Sequence, residues 1–267
     1  LSTQPNPKPQ PSRRSRRAAE RHAAPPARSG RQSGTRPSPI LLISAIVGGL
    51  GVVLLGALFL MQGGSSAKVD AAGLIAPTSP IPVVLADGRS LGKADAPVTL
   101  DVWSDYQCPS CGQYAEIVEP ALVRDYVTPG TLRIVDHDAA FQGAKSKASY
   151  DESVEAGAGA RCAAEQGHYW PFHDWLFANQ SGENKGAFAD ARLRAMAASA
   201  GLDVTVWDAC RATGTQQTAV RSETAQGVAN GVNATPTLYI NGVAIVGLHT
   251  AAELGQKIEA AAAAAGK

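Results

Sequence analysis

The sequence predicts an α/β domain that carries an all-helical insertion and follows one membrane-spanning helix. Three observations lead there. Strand-like segments fall into two groups, one between residues 83 and 135 and one between residues 236 and 246. About a hundred residues of helix-like pattern separate them. Ahead of both lies an apolar run from Ile40 to Met61 without a charged residue. The order β, β–α, β, helical block, β-hairpin, α is a βαβ unit and a ββα unit with helices inserted between them.

The chain has 267 residues, enough for one domain of about 150–200 residues with additions. Residues 1–39 hold nine Lys and Arg against one acid, Glu20, and are rich in Pro, Ser and Gln. A segment so poor in large apolar side chains cannot offset its ordering entropy, so it is expected to be a disordered basic tail. The remaining residues carry a net −7, which argues against a nucleic-acid-binding face on the folded part. The Arg cluster (Arg13, Arg14, Arg16, Arg17, Arg21) reads as a topology signal beside a membrane segment; its alternative is a nucleic-acid arm.

Residues 40–61 number 22 and, at about 1.5 Å rise each, span roughly 33 Å, enough to cross a hydrocarbon core. The run is longer than the h-region of a cleaved signal peptide, so an uncleaved anchor is expected. Ser65-Ser66-Ala67 keeps cleavage open as the alternative. The positive-inside rule puts the tail in the cytoplasm and everything after Met61 outside it. Residues 62–82, rich in Gly, Ser, Ala and Pro, are expected to form a flexible tether.

The folded domain is expected over residues 83–267. Val83 to Ser90 reads as a short strand ending in an Asp-Gly turn. Val98 to Tyr106 is the central strand and Cys111 to about Tyr126 a helix, with Ala115, Val118, Leu122 and Val123 at helical spacing. Thr131 to Val135 is the next strand. The helical insertion, about residues 145–230, contains Ala148–Gln166, His168–Asn179, Phe188–Ala200, Val204–Ala212 and Thr215–Asn230, separated by Gly-containing breaks. Pro236–Ile240 and Val243–Val246 flank Asn241-Gly242, a strong hairpin signal. A helix from Thr250 to about Ala264 closes the domain.

The chemistry concentrates at Asp105-Tyr106-Gln107-Cys108-Pro109-Ser110-Cys111. A Cys-x-x-Cys between a strand and a helix reads as redox-active. Cys108 would sit at the helix N-terminus, where free backbone N–H groups and the helix dipole favour a thiolate. Pro109 suits the first helical position, because its missing N–H is not needed there. Cys111, one turn on, would be the resolving thiol. A zinc site needs four ligands and this motif supplies two; the other cysteines, Cys162 and Cys210, are single. No metal and no cofactor are expected. A purely structural disulfide across three residues would close almost no loop entropy.

Thr235-Pro236-Thr237 opens a strand with a residue that cannot donate to the ladder. An ordinary trans bond is one reading. A cis bond pressing against the sulfurs, with Thr235 backbone groups free to pair with an extended substrate, is the other.

Three segments together resemble the DsbA-like thiol-disulfide oxidoreductases, in particular their membrane-anchored bacterial branch. They are Asp105 through Cys111, Gly167-His168-Tyr169-Trp170-Pro171-Phe172-His173-Asp174-Trp175-Leu176-Phe177-Ala178-Asn179-Gln180, and Gly231 through Gly242. The resemblance covers about residues 80–265. It implies a thioredoxin-like fold with a helical insertion, Cys108 as nucleophile, Cys111 as resolving thiol and a cis-Pro at Pro236. It also implies re-oxidation by a membrane partner of the DsbB or vitamin K epoxide reductase-like kind. Reduced exported proteins would be the substrates.

Two positions depart from the family. Ser110 stands where the best-known member has His. A hydroxyl stabilises a neighbouring thiolate less than an imidazole, so a milder oxidant is expected. Val102 stands where many relatives carry a buried acid, and Asp101 points to the opposite face of the strand. Cys162 and Cys210 lie in the helical block. In an oxidising compartment they are expected to form a structural disulfide, whose loop of about 48 residues contributes roughly 3–4 kcal/mol; a second shuttling pair is the alternative. His137 is expected in a loop near the site. The aromatic stripe of the second inserted helix is expected to be core. The rival functions are a reductase or isomerase using the same sulfurs, and a tethered binding or chaperone-like module with a structural dithiol.

Overall fold

The structure, a computed structural model, describes residues 73–145 and 149–266. The expected basic tail 1–39, the expected anchor 40–61 and residues 62–72 of the expected tether lie outside the described residues. Among the described residues no helix is long and apolar enough to cross a membrane.

Among the described residues, six strands form one sheet. They are β1 (Ala86–Asp87), β2 (Ser90–Leu91), β3 (Val98–Ser104), β4 (Leu132–Asp138), β5 (Thr237–Ile240) and β6 (Val243–Val246), in the spatial order β1-β2-β4-β3-β5-β6. β3 and β4 run parallel and every other pair is antiparallel. Parallel neighbours need a crossover, and the helical run 109–127 provides it. That run begins with α1 (Pro109–Gln113) and includes α2 (Glu119–Leu122), joined by turns of wider π type. Pro120 cannot donate to the carbonyl four residues back, which interrupts the α ladder inside the run.

The strand boundaries differ from the expectations in two places. Val83–Leu85 is a 3₁₀ turn, and the strand expected over Val83–Ser90 is a two-residue pair around the Asp87-Gly88 turn. The strand expected to end at Val135 continues to Asp138, because its parallel register with β3 runs from Val98↔Leu132 to Ser104↔Asp138. His137 therefore lies in a strand, not a loop. The Asn-Gly hairpin forms as expected: Asn241 and Gly242 have φ of 47° and 80°, the left-handed pair that a two-residue type I′ turn requires.

Between β4 and β5 lie α3 (Glu152–Ala164), α4 (Tyr169–Ala178), α5 (Asp190–Ser199), α6 (Val204–Ala212) and α7 (Thr215–Ala229); α8 (Ala251–Ala265) closes the domain. Asp151, Asp203 and Thr250 cap α3, α6 and α8, the last in a capping box with Glu253. The apolar stripe of α4 is core: Tyr169, Trp170, Phe172, Leu176 and Phe177 are buried. Gly159 lets α3 approach it, since a Cβ there would lie 2.9 Å from the Trp207 ring and 3.0 Å from Phe172. Cys162 on α3 is disulfide-bonded to Cys210 on α6.

The insertion is tied to the sheet by a charged cluster. The Glu223 carboxylate on α7 accepts from His137 Nδ1 (3.0 Å), Arg89 (3.0 Å), Arg161 (2.6 Å) and the Asp138 amide (3.0 Å). His137 also bonds Asp101 through Nε2 at 2.9 Å and stacks on Trp103 at 4.5 Å. Residues 73–82, the end of the expected tether, are fastened to α4. Ile75 N and O bond the Asn179 side chain, both at 2.8 Å, and the Ile81 amide donates to Asp174.

Candidate active site

β3 ends at Ser104, and a turn made of Asp105, Tyr106 and Gln107 delivers the chain to α1. Cys108 is the N-cap residue, in extended conformation, with Pro109 beginning the helix. This is the place where the first helical amides have no partner within the helix. Across the sheet, Trp103 pairs with Thr237. That register brings the start of β5 beside the dithiol turn. The Thr235–Pro236 bond is cis, and the Thr235 carbonyl faces the first sulfur at 3.4 Å, an acceptor for Cys108 in its protonated form. Thr237 Oγ1 donates to the Ala234 carbonyl at 2.7 Å and holds the turn before the proline.

Both sulfurs are free thiols. Cys108 is 6% exposed and Cys111 0%. Their titration diverges. A hydrogen bond from the Cys111 thiol, then one from the Thr235 side chain and those from the Cys111 and Ser110 amides, bring the Cys108 thiol down to about 5 against the opposition of burial. Burial, followed by its bond to Cys108, pushes the Cys111 thiol well above its ordinary value. One sulfur is thus a thiolate at neutral pH and the other its hydrogen-bonding thiol. The contribution of Ser110 to the Cys108 sulfur is its backbone N–H.

The turn is held by side chains that are themselves buried. Asp105 accepts from the Gln107 amide, the Gln142 amide and Ser153 Oγ, each at 2.8 Å. Burial nevertheless raises its carboxyl to about 6, against those three bonds. Gln107 donates to Ser153 Oγ at 2.8 Å and accepts from the Asn184 amide at 2.5 Å. Gln180 donates to the carbonyls of Tyr106 and Cys108. Deeper, Tyr106 OH meets Tyr169 OH at 3.2 Å, and Tyr169 donates to Asp136. Glu119 is buried near His173, at 3.8 Å, and burial pushes its carboxyl up to about 8.

Of the residues named from the sequence, Cys108, Pro109, Ser110, Cys111, Thr235 and Pro236 converge on one site. Cys162 and Cys210 lie apart from it, in the insertion. Asp101 is turned toward His137. Among the described residues no group of three or more His, Cys, Asp or Glu could hold a metal ion. Sequence reasoning assigned no role to Asp105, Gln107, Gln142, Ser153, Gln180 or Asn184. Asp105, Gln107 and Gln180 stand inside the motif segments, yet nothing in their spacing reveals that they meet.

The chain belongs to the thioredoxin family, whose family model, described as Thioredoxin, matches residues 85–260. Within that family it resembles disulfide-bond-forming proteins. It is 31% identical to Disulfide bond formation protein D of Bacillus subtilis (strain 168) over 90 residues, which are 34% of this chain and 38% of that protein. The match thus spans about two fifths of the length of the disulfide bond formation proteins. Oxidised Mtb DsbA superposes with a TM-score of 0.54 at 26% identity, covering 67% of this chain and 100% of that one. Oxidised BdbD from Bacillus subtilis superposes with a TM-score of 0.58 at 24% identity, covering 70% and 99%, a likeness of fold.

Proposed function

We propose that this chain is a thiol–disulfide oxidoreductase working outside the cytoplasm, where it acts as a dithiol oxidase for exported proteins. The observation that carries the reading is the split between the two sulfurs: Cys108 is lowered to about 5 while Cys111 is raised. A low-pKa sulfur is a good leaving group, so the exchange favours handing the disulfide on.

A substrate thiolate attacks Sγ of Cys108 in the Cys108–Cys111 disulfide. The S–S bond breaks, Cys111 leaves with the electron pair and takes up a proton, and a mixed disulfide joins substrate to Cys108. The second substrate thiolate then attacks the substrate sulfur of that bond and expels Cys108 as a thiolate. The substrate has lost two electrons and the Cys108–Cys111 pair has gained them. The Thr235 carbonyl beside the cis proline offers an acceptor for the amide of an extended substrate. Beside Gln113, a shallow depression of about 300 Å³ lined by Ile117 and Val118 of the helical run and by Leu248 and Ala251 at the start of α8 offers an apolar surface. Restoring the disulfide needs an oxidant, which we assign to a membrane protein of the DsbB or vitamin K epoxide reductase-like kind. Residues 40–61 would hold the chain at the same membrane, with residues 1–39 cytoplasmic.

The test is oxidation of a reduced, unfolded disulfide protein by the oxidised chain, with the reduction potential of the Cys108–Cys111 couple measured alongside. Wild type is expected to form the substrate's disulfides and Cys108→Ser to form none. The potential is expected above that of thioredoxin, about −270 mV. A value at or below it would assign the site to reduction; equal activity of the two proteins would leave a binding module.

A further inference from the structure

We propose that Gln180, the second residue after α4, is a positioning residue of the dithiol site, acting on the Cys108 sulfur through the two carbonyls it holds. The proposal rests on the redox reading of Cys108 and adds to it a residue from the insertion. One side-chain amide, Nε2, lies against two acceptors, the carbonyl of Tyr106 and that of Cys108, the latter at 3.1 Å. Both are carbonyl oxygens, so the nitrogen must face them and both amide hydrogens are used.

The need for such a clamp follows from Pro109. The Cys108–Pro109 peptide has no N–H, so its carbonyl is its only polar handle. That oxygen accepts from the Gly112 amide at 3.1 Å and from Gln180. The orientation of this plane sets how the Cys108 side chain meets the Ser110 and Cys111 amides that stabilise its sulfur. On the other side, the Tyr106–Gln107 plane is held by Gln180 at its carbonyl and by Asp105 Oδ1 at its amide. Gln180 thus grips the turn on both sides of the nucleophile.

Two further observations fit. Gly112, beside the resolving cysteine, leaves room for Gln180: a Cβ there would lie 2.6 Å from Gln180 Oε1. Asn179, next in the chain, is locked to Ile75 by two hydrogen bonds of 2.8 Å. The backbone that presents Gln180 is therefore fixed from the far side.

The experiment uses the full 267-residue chain, reduced, and measures the pH midpoint of Cys108 alkylation by iodoacetamide. Gln180→Ala is expected to raise the midpoint by about one unit, which lowers the alkylation rate at pH 5 about five-fold. Gln180→Glu, of nearly the same shape, is expected to raise it further, because an ionised carboxylate faces the two carbonyls. Gly112→Ala is expected to raise the midpoint in the wild-type background and to add nothing to Gln180→Ala. A residue that merely supports the fold would lower the unfolding midpoint and leave the alkylation midpoint in place. That result in folded Gln180→Ala or Gln180→Glu, or a Gly112→Ala shift that adds fully to Gln180→Ala, overturns the proposal. No substrate or re-oxidant enters the measurement, so it stands apart from failure of the oxidase assay.

Discussion

At the residue scale, the chemistry is a contest between burial and hydrogen bonding over one sulfur. Burial opposes charge at both cysteines, but Cys108 receives a thiol, a hydroxyl and two backbone N–H groups, while Cys111 receives chiefly burial. Because the Cys108 thiol is held at about 5, its alkylation rate is expected to stay flat above about pH 6 and to fall roughly ten-fold per unit once the pH drops below about 5. Stopped alkylation followed by mass spectrometry measures this; a midpoint near the ordinary thiol value of about 8.5 would remove the activated nucleophile. Asp105 shows the same contest with another outcome. Three donors surround it, yet burial wins and its carboxyl rises to about 6.

At the element scale, the question is how a helical insertion stays registered on the sheet that carries the cysteines. Glu223 on α7 answers it by accepting from His137 and the Asp138 amide of β4, from Arg89 in the β1–β2 turn and from Arg161 of α3. Glu223→Ala leaves His137, Arg89 and Arg161 without their shared acceptor, and is expected to cost about 3 kcal/mol of unfolding free energy by urea titration. The pH sign follows from His137. Burial lowers its pKa, but the bonds to Asp101 and Glu223 and the charges of Glu223 and Asp136 outweigh it and raise it to about 9. A raised histidine contributes stability that is full below about 6.5 and is lost as pH rises through about 9. Comparing wild type with His137→Gln between pH 6 and 10 should show a difference of about 2 kcal/mol that closes across that window. A constant difference would place the effect in packing on Trp103.

For the whole molecule, redox state and stability are linked. The Cys108 thiolate exists only when the Cys108–Cys111 bond is open, and folding lowers its pKa from about 9 to about 5. A depressed pKa contributes stability that is complete above the unfolded value and is lost as pH falls through the folded one. At pH 7 the reduced chain is therefore expected to be about 2–3 kcal/mol more stable than without this shift. That gain exceeds the small loop entropy of a bridge across three residues. Urea unfolding of the two forms at pH 7 is expected to place the reduced midpoint higher, with the gap shrinking toward pH 5. An oxidised form that is the more stable one would contradict the proposed oxidase direction.

Much of this was legible in the one-dimensional chain because it depends on local rules. Alternation and helical spacing placed β3, the helices of the insertion and the hairpin; Asn241-Gly242 needs no tertiary context to turn. Cys-x-x-Cys between a strand and a helix, with Pro109 at the first helical position, places the dithiol at a helix N-terminus without any tertiary context. What stayed hidden was whatever depends on residues far apart in sequence. The place of His137 in a strand is not legible locally, because strand length is set by pairing with β3. Asp105, Gln107 and Gln180 read as ordinary polar residues until residues 142, 153 and 184 and the end of α4 closed around the turn. The amino-acid sequence by itself determined which sulfur lies at a helix N-terminus, since that takes only the order of four residues. The tertiary structure alone decided that this sulfur faces the carbonyl before a cis proline and is gripped through its backbone by the insertion, because burial and hydrogen bonding across more than 70 residues arise only when the chain is folded.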